Sequence, residues 1–243
     1  MPPRQRADRL LVERGLFESR AKAQAAIAAG LVTADGVPVQ KASDEISADA
    51  ELRASPEHPW VSRGGMKLAA ALDHFGTDPK GRVCLDVGAS TGGFTQVLVT
   101  RGAKRVYAVD VGHDQLHLSL RGRADIISFE DTDIRKLTPA LLQESLDFIV
   151  ADVSFISLKL VLPAALGLAK SPAHFLALIK PQFEAGRAHV KKGIVRDPDI
   201  HQAVCKDISA FVAGLGWTVL GVIPSPITGG DGNREFFIGA WRD

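Results

Sequence analysis

The sequence predicts an α/β protein: a Rossmann-like, doubly wound sheet that ends in an antiparallel strand, with a small α+β unit ahead of it. Three observations predict it. Between residues 83 and 180, short apolar runs that read as buried strands alternate with helical patterns. The last two strands, Trp217–Ile223 and Glu235–Trp241, are joined by the short, turn-rich stretch Pro224 to Asn233, which makes them antiparallel neighbours. The first 55 residues show instead two short helices and a hairpin signal, setting expected domains at 1–58 and 59–243 with a linker at about 55–65.

Composition bounds the function classes. A formal net charge of +1 advertises no polyanionic partner globally, so any such surface must come from local clustering. The two cysteines, Cys84 in a buried strand and Cys205 in a helix, have neither metal nor redox spacing and suit a reducing cytoplasm as two buried thiols. The N-terminal Met-Pro-Pro-Arg-Gln-Arg lacks the apolar stretch of a signal peptide, and the most apolar region, Phe155 to Ala169, is interrupted by Lys159 and Pro163. A cytoplasmic protein without a membrane partner is expected.

In chain order, residues 7 to 14 read as a helix closed by Gly15, and Ser19 caps a second helix, Arg20 to Ala29, closed by Gly30. Asp35-Gly36, between the apolar runs of Leu31 to Val39, marks a hairpin. Bases concentrate on the helical half, where Arg4, Arg6, Arg20 and Lys22 are candidate phosphate contacts. On composition alone they would read as a solvated face. Their spacing says more: Arg6-x-Asp8-x-x-Leu11, Gly15-Leu16, Ser19-Arg20-x-x-Ala23, Ile27-x-x-Gly30-x-Val32 and Asp35-Gly36-x-x-Val39 closely resemble the S4-type RNA-binding domain. The resemblance implies a module that docks on structured RNA. In the linker, Trp60 either pins the chain or stacks on a base, and Arg63 joins the candidate RNA contacts. Lys67 stands at the start of an amphipathic helix, Met66 to Phe75.

The first strand, Val83 to Leu85, leads into Asp86-Val87-Gly88-Ala89-Ser90-Thr91-Gly92-Gly93-Phe94-Thr95 and a helix to Arg101. A glycine-rich turn at this position of a doubly wound sheet lets backbone N–H groups approach a nucleotide-like ligand. The dinucleotide pattern requires a glycine two positions after Gly88, where Ser90 stands, so a pyrophosphate is disfavoured. The acid before the first glycine suits a ligand with a cationic end, such as S-adenosylmethionine. Asp86, Gly88, Ala89, Ser90, Thr91, Gly92, Gly93 and Phe94 are therefore candidate cofactor contacts. The second strand ends in Asp110, 24 residues after Asp86, a spacing suited to a ribose contact, with Val111 beside it. After a third strand, Ile126 to Phe129, Asp131 and Asp133 are candidates for an adenine amino group. A fourth strand ends in Asp152 and a fifth in Lys180-Pro181. The loop 182–197 carries Arg187, Lys191, Lys192 and Arg196, which suit an RNA backbone, before Asp197-Pro198 opens a helix to about Gly214.

Lys67, Asp152, Lys180 and Glu235 follow one another in the contexts Gly-Met-Lys-Leu, Ala-Asp-Val-Ser, Ile-Lys-Pro-Gln and Arg-Glu-Phe. With the cofactor turn they resemble the FtsJ-like family of RNA ribose 2′-O-methyltransferases. With the S4-like front end, the whole chain resembles the TlyA family, often labelled haemolysin A. The resemblance implies a class I methyltransferase sheet and S-adenosylmethionine-dependent methylation of a ribose, of cytidine, in ribosomal RNA. The short ends of the chain match the shorter members and imply a large-subunit target. Lys180 is expected to be the central base or orienter of the 2′-hydroxyl, with Lys67, Asp152 and Glu235 holding and tuning it. A lysine acts as a base only when its ammonium gives up a proton, which a second ammonium favours and carboxylates oppose. His113 and His117, at i and i+4, form an imperfect zinc pattern without a third ligand, and no metal is expected. Two other readings stand beside this one: a membrane-lysing protein, as the older family label suggests, and a non-catalytic RNA-binding or ribosome-assembly factor.

Overall fold

The alternating pattern folds into two units, Met1–Pro59 and Trp60–Asp243; the computed structural model describes residues 2–229 and 232–243. In the first unit the order is β1 (Arg4–Arg6), α1 (Ala7–Glu13), α2 (Arg20–Ala28), β2 (Val32–Ala34), β3 (Val37–Pro38), β4 (Glu45–Ser47) and β5 (Leu52–Ala54). Ser19 caps α2, its Oγ accepting the Lys22 N–H at 3.3 Å. Asp35 and Gly36 both have positive φ, 49° and 78°, as a two-residue hairpin turn between β2 and β3 demands. A core of small and branched side chains, among them Ala7, Leu11, Ala23, Ala26, Ile27 and Val32, joins the helices to these strands. Strands β1, β4 and β5, of three residues each, are too short to display a period of two, which is why the sequence did not reveal them.

The bases of this unit have structural partners. Asp8 is wholly buried and accepts from Arg6 Nε and Nη2, each at 3.1 Å, from Arg20 Nη2 at 2.7 Å and from Gln24 Nε2 at 2.8 Å. The Arg6 guanidinium above all, with Arg20 and Gln24, holds the Asp8 carboxyl far below the usual carboxylate range. Arg4 donates to the Glu45 carbonyl, and Lys22 pairs with Glu18 at 2.5 Å. Arg6 and Arg20 nevertheless keep 40% and 48% of their side-chain surface in solvent.

The second unit runs α3 (Gly64–Phe75), β6 (Val83–Val87), α4 (Gly93–Thr100), β7 (Arg105–Val109), β8 (Ile126–Phe129), β9 (Leu146–Ala151), α5 (Leu158–Gly167), β10 (Ala169–Ile179), α6 (Pro181–Glu184), α7 (Pro198–Gly214), β11 (Thr218–Pro224) and β12 (Phe236–Arg242). Its strands lie in the order β11-β12-β10-β9-β6-β7-β8. β10, β9, β6, β7 and β8 are parallel, and β12 is antiparallel to both β10 and β11. Alternate residues sort onto two faces. Val83, Leu85, Ile149, Phe175 and Ala177 pack in the core that includes residues of α5 and α7. Cys84, Phe148, Val150, Leu176 and Leu178 pack in the core that includes residues of α3 and α4. Central strands buried on both faces read as continuous apolar runs, hence their legibility in sequence.

Some boundaries move. β10 begins at Ala169 rather than Phe175, because its irregular start carries Lys170, Ser171 and Pro172 and shows no apolar pattern. Gly230 and Asp231 of the expected β11–β12 turn lie outside the described residues. Cys84 is buried but Cys205 only half-buried on α7, which corrects the expectation of two buried thiols; burial pushes the Cys205 thiol up to about 11. Among the described residues, no helix is long and apolar enough to cross a membrane.

Candidate active site

Sheet register assembles the four tetrad residues from distant parts of the chain. Ala177 of β10 pairs with Ala151 of β9, so Asp152 and Lys180 both emerge at the carboxyl edge. Ile179 pairs with Phe236 of antiparallel β12, so Glu235, just ahead of that strand, arrives beside Lys180. Lys67 enters from the first turn of α3. The result is two ion pairs: Lys67 Nζ lies 2.5 Å from Glu235 Oε2, and Lys180 Nζ lies 2.6 Å from Asp152 Oδ1. Both lysines and Glu235 are buried, and Lys180 also donates to Ser154 Oγ at 2.7 Å. Each ammonium is thus met by its own carboxylate, a closer pairing than residue order alone could specify. Ser154 was not singled out in sequence, although it stands in the same Ala-Asp-Val-Ser run.

The glycine-rich turn sits where strand order reverses around β6, between β7 on one side and β9 on the other. Gly88, at φ 82°, lies so close to β9 that a Cβ there would stand 2.6 Å from the Asp152 carbonyl oxygen. Asp110 closes the turn, its Oδ2 accepting from Ser90 N–H and its Oδ1 from Gly112 N–H, both at 2.7 Å. A cleft of about 470 Å³ opens here, lined by Gly88, Ser90, Asp110, Val111, Asp133 and Phe155 among others, within the usual range of small-molecule sites. A smaller cleft of about 200 Å³ adjoins it, lined by Lys67, Ala89, Thr91, Gly93, Phe94 and Lys180. Both clefts include Gly88, Ser90, Asp152 and Ser154, where a donor half and an acceptor half of a transfer site would meet.

Asp86 is wholly buried on the α3/α4 face of β6, a position that otherwise takes apolar side chains. Its Oδ2 accepts from Thr95 Oγ1 at 2.6 Å, while Oδ1 has no hydrogen-bond partner among the described residues. Burial pushes this carboxyl up to about 7, against the Thr95 hydrogen bond and with help from the nearby Asp152 charge. Asp86 lines neither cleft; a buried carboxylate with an unmet oxygen at the base of the turn suits a cationic group bound above it through its charge rather than by contact.

Other candidates fall differently. Phe94 is 3% exposed and stacks on Phe237 with ring centroids 6.0 Å apart, so it is mainly a core residue. Gly92 lies beneath Leu116 and Leu120 and lines neither cleft. Asp131 also stands outside both, engaged with His113 Nδ1 at 2.7 Å, whereas Asp133 lines the larger cleft and pairs with Arg135. Among the described residues, no group of three His, Cys, Asp or Glu side chains is placed to hold a metal ion. Trp60 lies against the glycine start of α3, where a Cβ on Gly65 would meet its ring at 2.3 Å, which favours its pinning role over stacking on a base. Arg63 donates to the Thr228 carbonyl at 2.7 Å. Arg187, Lys191, Lys192 and Arg196 are exposed on the loop after α6.

Phe155 is the residue that sequence reasoning overlooked, having been read only as the start of an apolar stretch. It is 91% exposed, holds φ at 64°, and touches Phe183 with ring centroids 5.1 Å apart. A bulky side chain at positive φ is a strained arrangement of the kind that clusters at ligand sites.

A doubly wound sheet with a glycine-rich turn at its switch point, two lysine–carboxylate pairs beside it and a separate small α+β unit ahead of it in the chain define an FtsJ-like methyltransferase joined to an S4 domain. The FtsJ-like methyltransferase family matches residues 60–242 and the S4 domain residues 5–52. The chain is 44% identical to the 16S/23S rRNA (cytidine-2′-O)-methyltransferase TlyA of Mycobacterium tuberculosis, over 98% of its own length and 90% of that protein's. It is 40% identical to the 23S rRNA (cytidine-2′-O)-methyltransferase TlyA of Campylobacter jejuni, over 73% and 69% respectively. A solved structure from Streptococcus thermophilus, titled a hemolysin, matches with a TM-score of 0.78 and 41% identity, covering 100% of this chain and 90% of that one. The chain belongs to the TlyA family of FtsJ-like methyltransferases.

Proposed function

We propose that this chain transfers the methyl group of S-adenosylmethionine to the 2′-hydroxyl of a cytidine ribose in ribosomal RNA of the large subunit, with the S4 unit anchoring it to folded RNA. The observation that carries the reading is the pair of lysine–carboxylate contacts at the smaller cleft, where Lys67, Lys180 and Asp152 line the wall and Asp152 is shared with the larger one. Support for cytidine and for 23S rRNA comes from the names of the two relatives, which share both words. When bound, S-adenosylmethionine supplies an electrophilic methyl group on a sulfonium. Gly88, Ser90, Asp110, Val111 and Asp133 would hold its nucleoside end, while the Asp86 charge, buried beneath the turn and outside both clefts, would favour its cationic end from a distance. Lys180, oriented by Asp152 and Ser154, would in its neutral amine form receive the proton of the hydroxyl as that oxygen becomes a nucleophile, becoming the ammonium that Asp152 then pairs. The Lys67–Glu235 pair adds a fixed, desolvated dipole beside it. Phe155 would stack on the base of the same nucleotide.

The raised Asp86 yields a pH prediction. Between about 4 and about 7 the folded protein keeps a proton on Asp86 that the unfolded chain has lost, so this contribution to stability fades as pH rises through that window. A cationic ligand favours the carboxylate instead. Binding of S-adenosylmethionine is therefore expected to release a proton below pH 7 and to tighten with rising pH, by up to about tenfold per unit, until about pH 7. Calorimetry in buffers of different ionisation enthalpy reads both effects. Affinity that stays flat from about pH 5 to about pH 8 would take Asp86 out of cofactor binding.

For Phe155→Ala, loss of one stacking contact is expected to lower kcat/KM for RNA by about 5- to 150-fold, and Phe155→Trp to retain most of it. Equal activity of both variants on RNA would show that no base rests there. The test of the reaction itself is label transfer from methyl-labelled S-adenosylmethionine to separated large and small subunits from a strain lacking this protein. Label on the large subunit is the expected result; label on neither subunit or on the small subunit alone contradicts the proposal.

A further inference from the structure

We propose that the pocket lined by Gln182, Phe183, Gly186, Arg187 and Val190 is a second nucleobase subsite, which takes the base next to the nucleotide being methylated. The inference rests on the ribose-methylation reading above. Its first support is position. Gln182 and Phe183 follow Lys180 by two and three residues, on the short helix α6. The Phe183 ring lies 5.1 Å from that of Phe155, which borders the cofactor cleft, so a strand of RNA with one base against Phe155 passes directly over this pocket of about 340 Å³.

The second support is chemistry. Gln182 lines the pocket, and its Oε1, shut off from solvent, has no hydrogen-bond partner among the described residues, so a turn of the side chain that brings it to a ligand breaks no existing bond of that oxygen. A buried acceptor without a donor is a costly arrangement that a ligand N–H would relieve. Every nucleobase offers an N–H donor on its Watson–Crick edge when unpaired, and unpaired bases are recognised by such bonds together with stacking on an aromatic ring. Phe183, half-buried at the rim, supplies the ring. Arg187 is exposed and makes no ion pair among the described residues, leaving its guanidinium for the phosphate that links the two nucleotides. Because all four bases carry a π-face and an N–H edge, the pocket senses that an unpaired base is present more than which base it is. It would thereby restrict the enzyme to a target whose neighbour is also unstacked.

The test uses the full chain and transcripts of the rRNA segment carrying the mapped ribose, with the base on the 5′ or the 3′ side replaced by an abasic residue. For the unaltered protein, one of the two replacements is expected to lower kcat/KM by about tenfold and the other to leave it unchanged. For Gln182→Ala and Phe183→Leu, the intact transcript is expected to react about tenfold more slowly, and the damaging replacement to cost no more than about twofold further. Activity on the intact transcript with no effect of either replacement overturns the subsite and leaves the methylation reading standing. An equal abasic penalty in the unaltered protein and both variants also overturns it, because the sensed base then lies elsewhere. Failure of the unaltered protein to methylate any transcript or subunit overturns the underlying reading.

Discussion

Lys180→Ala is expected to reduce the single-turnover rate of methyl transfer by about 10²- to 10⁴-fold while leaving affinity for S-adenosylmethionine and for RNA within about threefold. The ammonium is buried, 2.6 Å from Asp152 Oδ1 and 2.7 Å from Ser154 Oγ, and no other lysine reaches those atoms among the described residues. Its removal therefore takes away the amine that, once neutral, would receive the hydroxyl proton, and leaves only the weaker Asp152 carboxylate nearby. Lys180→Arg separates two roles. A guanidinium keeps the positive charge but does not give up its proton at neutral pH, so an essential base predicts that the arginine variant is nearly as slow as the alanine variant. A near-normal single-turnover rate in Lys180→Ala would remove the residue from the mechanism.

Glu235→Ala should be the more damaging change to the fold. It strands the Lys67 ammonium, whose side chain is 10% exposed and which Glu235 meets at 2.5 Å. Breaking a buried pair from one side typically costs about 3–5 kcal/mol, because the remaining charge is buried without compensation. Replacing both partners with apolar residues, as in Lys67→Met combined with Glu235→Leu, is expected to recover most of that stability in urea titrations. Methyl transfer by the double variant should remain depressed at least tenfold if the pair contributes to the site's field. Recovery of stability and activity together would reduce the pair to packing.

Much of this was legible in sequence because the physics is local. Strands β6, β7 and β9 are central and buried, so they appear as apolar runs, and the acids within or just after them, Asp86, Asp110 and Asp152, stand out by contrast; β8, at the sheet edge, is only partly buried. Ser19, Asp35-Gly36 and Asp197-Pro198 mark caps and a turn by chemistry that acts within a few residues. What could not be read is what depends on register. That Lys67 pairs with Glu235, across 168 positions, and Lys180 with Asp152 follows from how β10 lies between β9 and β12. Phe155 escaped notice because its importance lies in its backbone, held at positive φ, and nothing in the letters Val-Ser-Phe-Ile signals that conformation. The bases of the S4 unit show the converse limit. Arg6 and Arg20 stand out in sequence as candidate phosphate contacts, but not as the partners of one buried carboxylate that fixes where their guanidinium groups face solvent.

Where the methyl group lands on the RNA tests the tetrad's role most directly. Ribosomal RNA from a strain lacking this protein, methylated with purified enzyme and labelled S-adenosylmethionine, can be hydrolysed in alkali, which cleaves every phosphodiester except the one next to a 2′-O-methyl ribose. The label is predicted in a single alkali-stable dinucleotide whose 5′ residue is cytidine. Label recovered in an ordinary mononucleotide, and so carried on a base, would contradict the role given to Lys180 and its three partners.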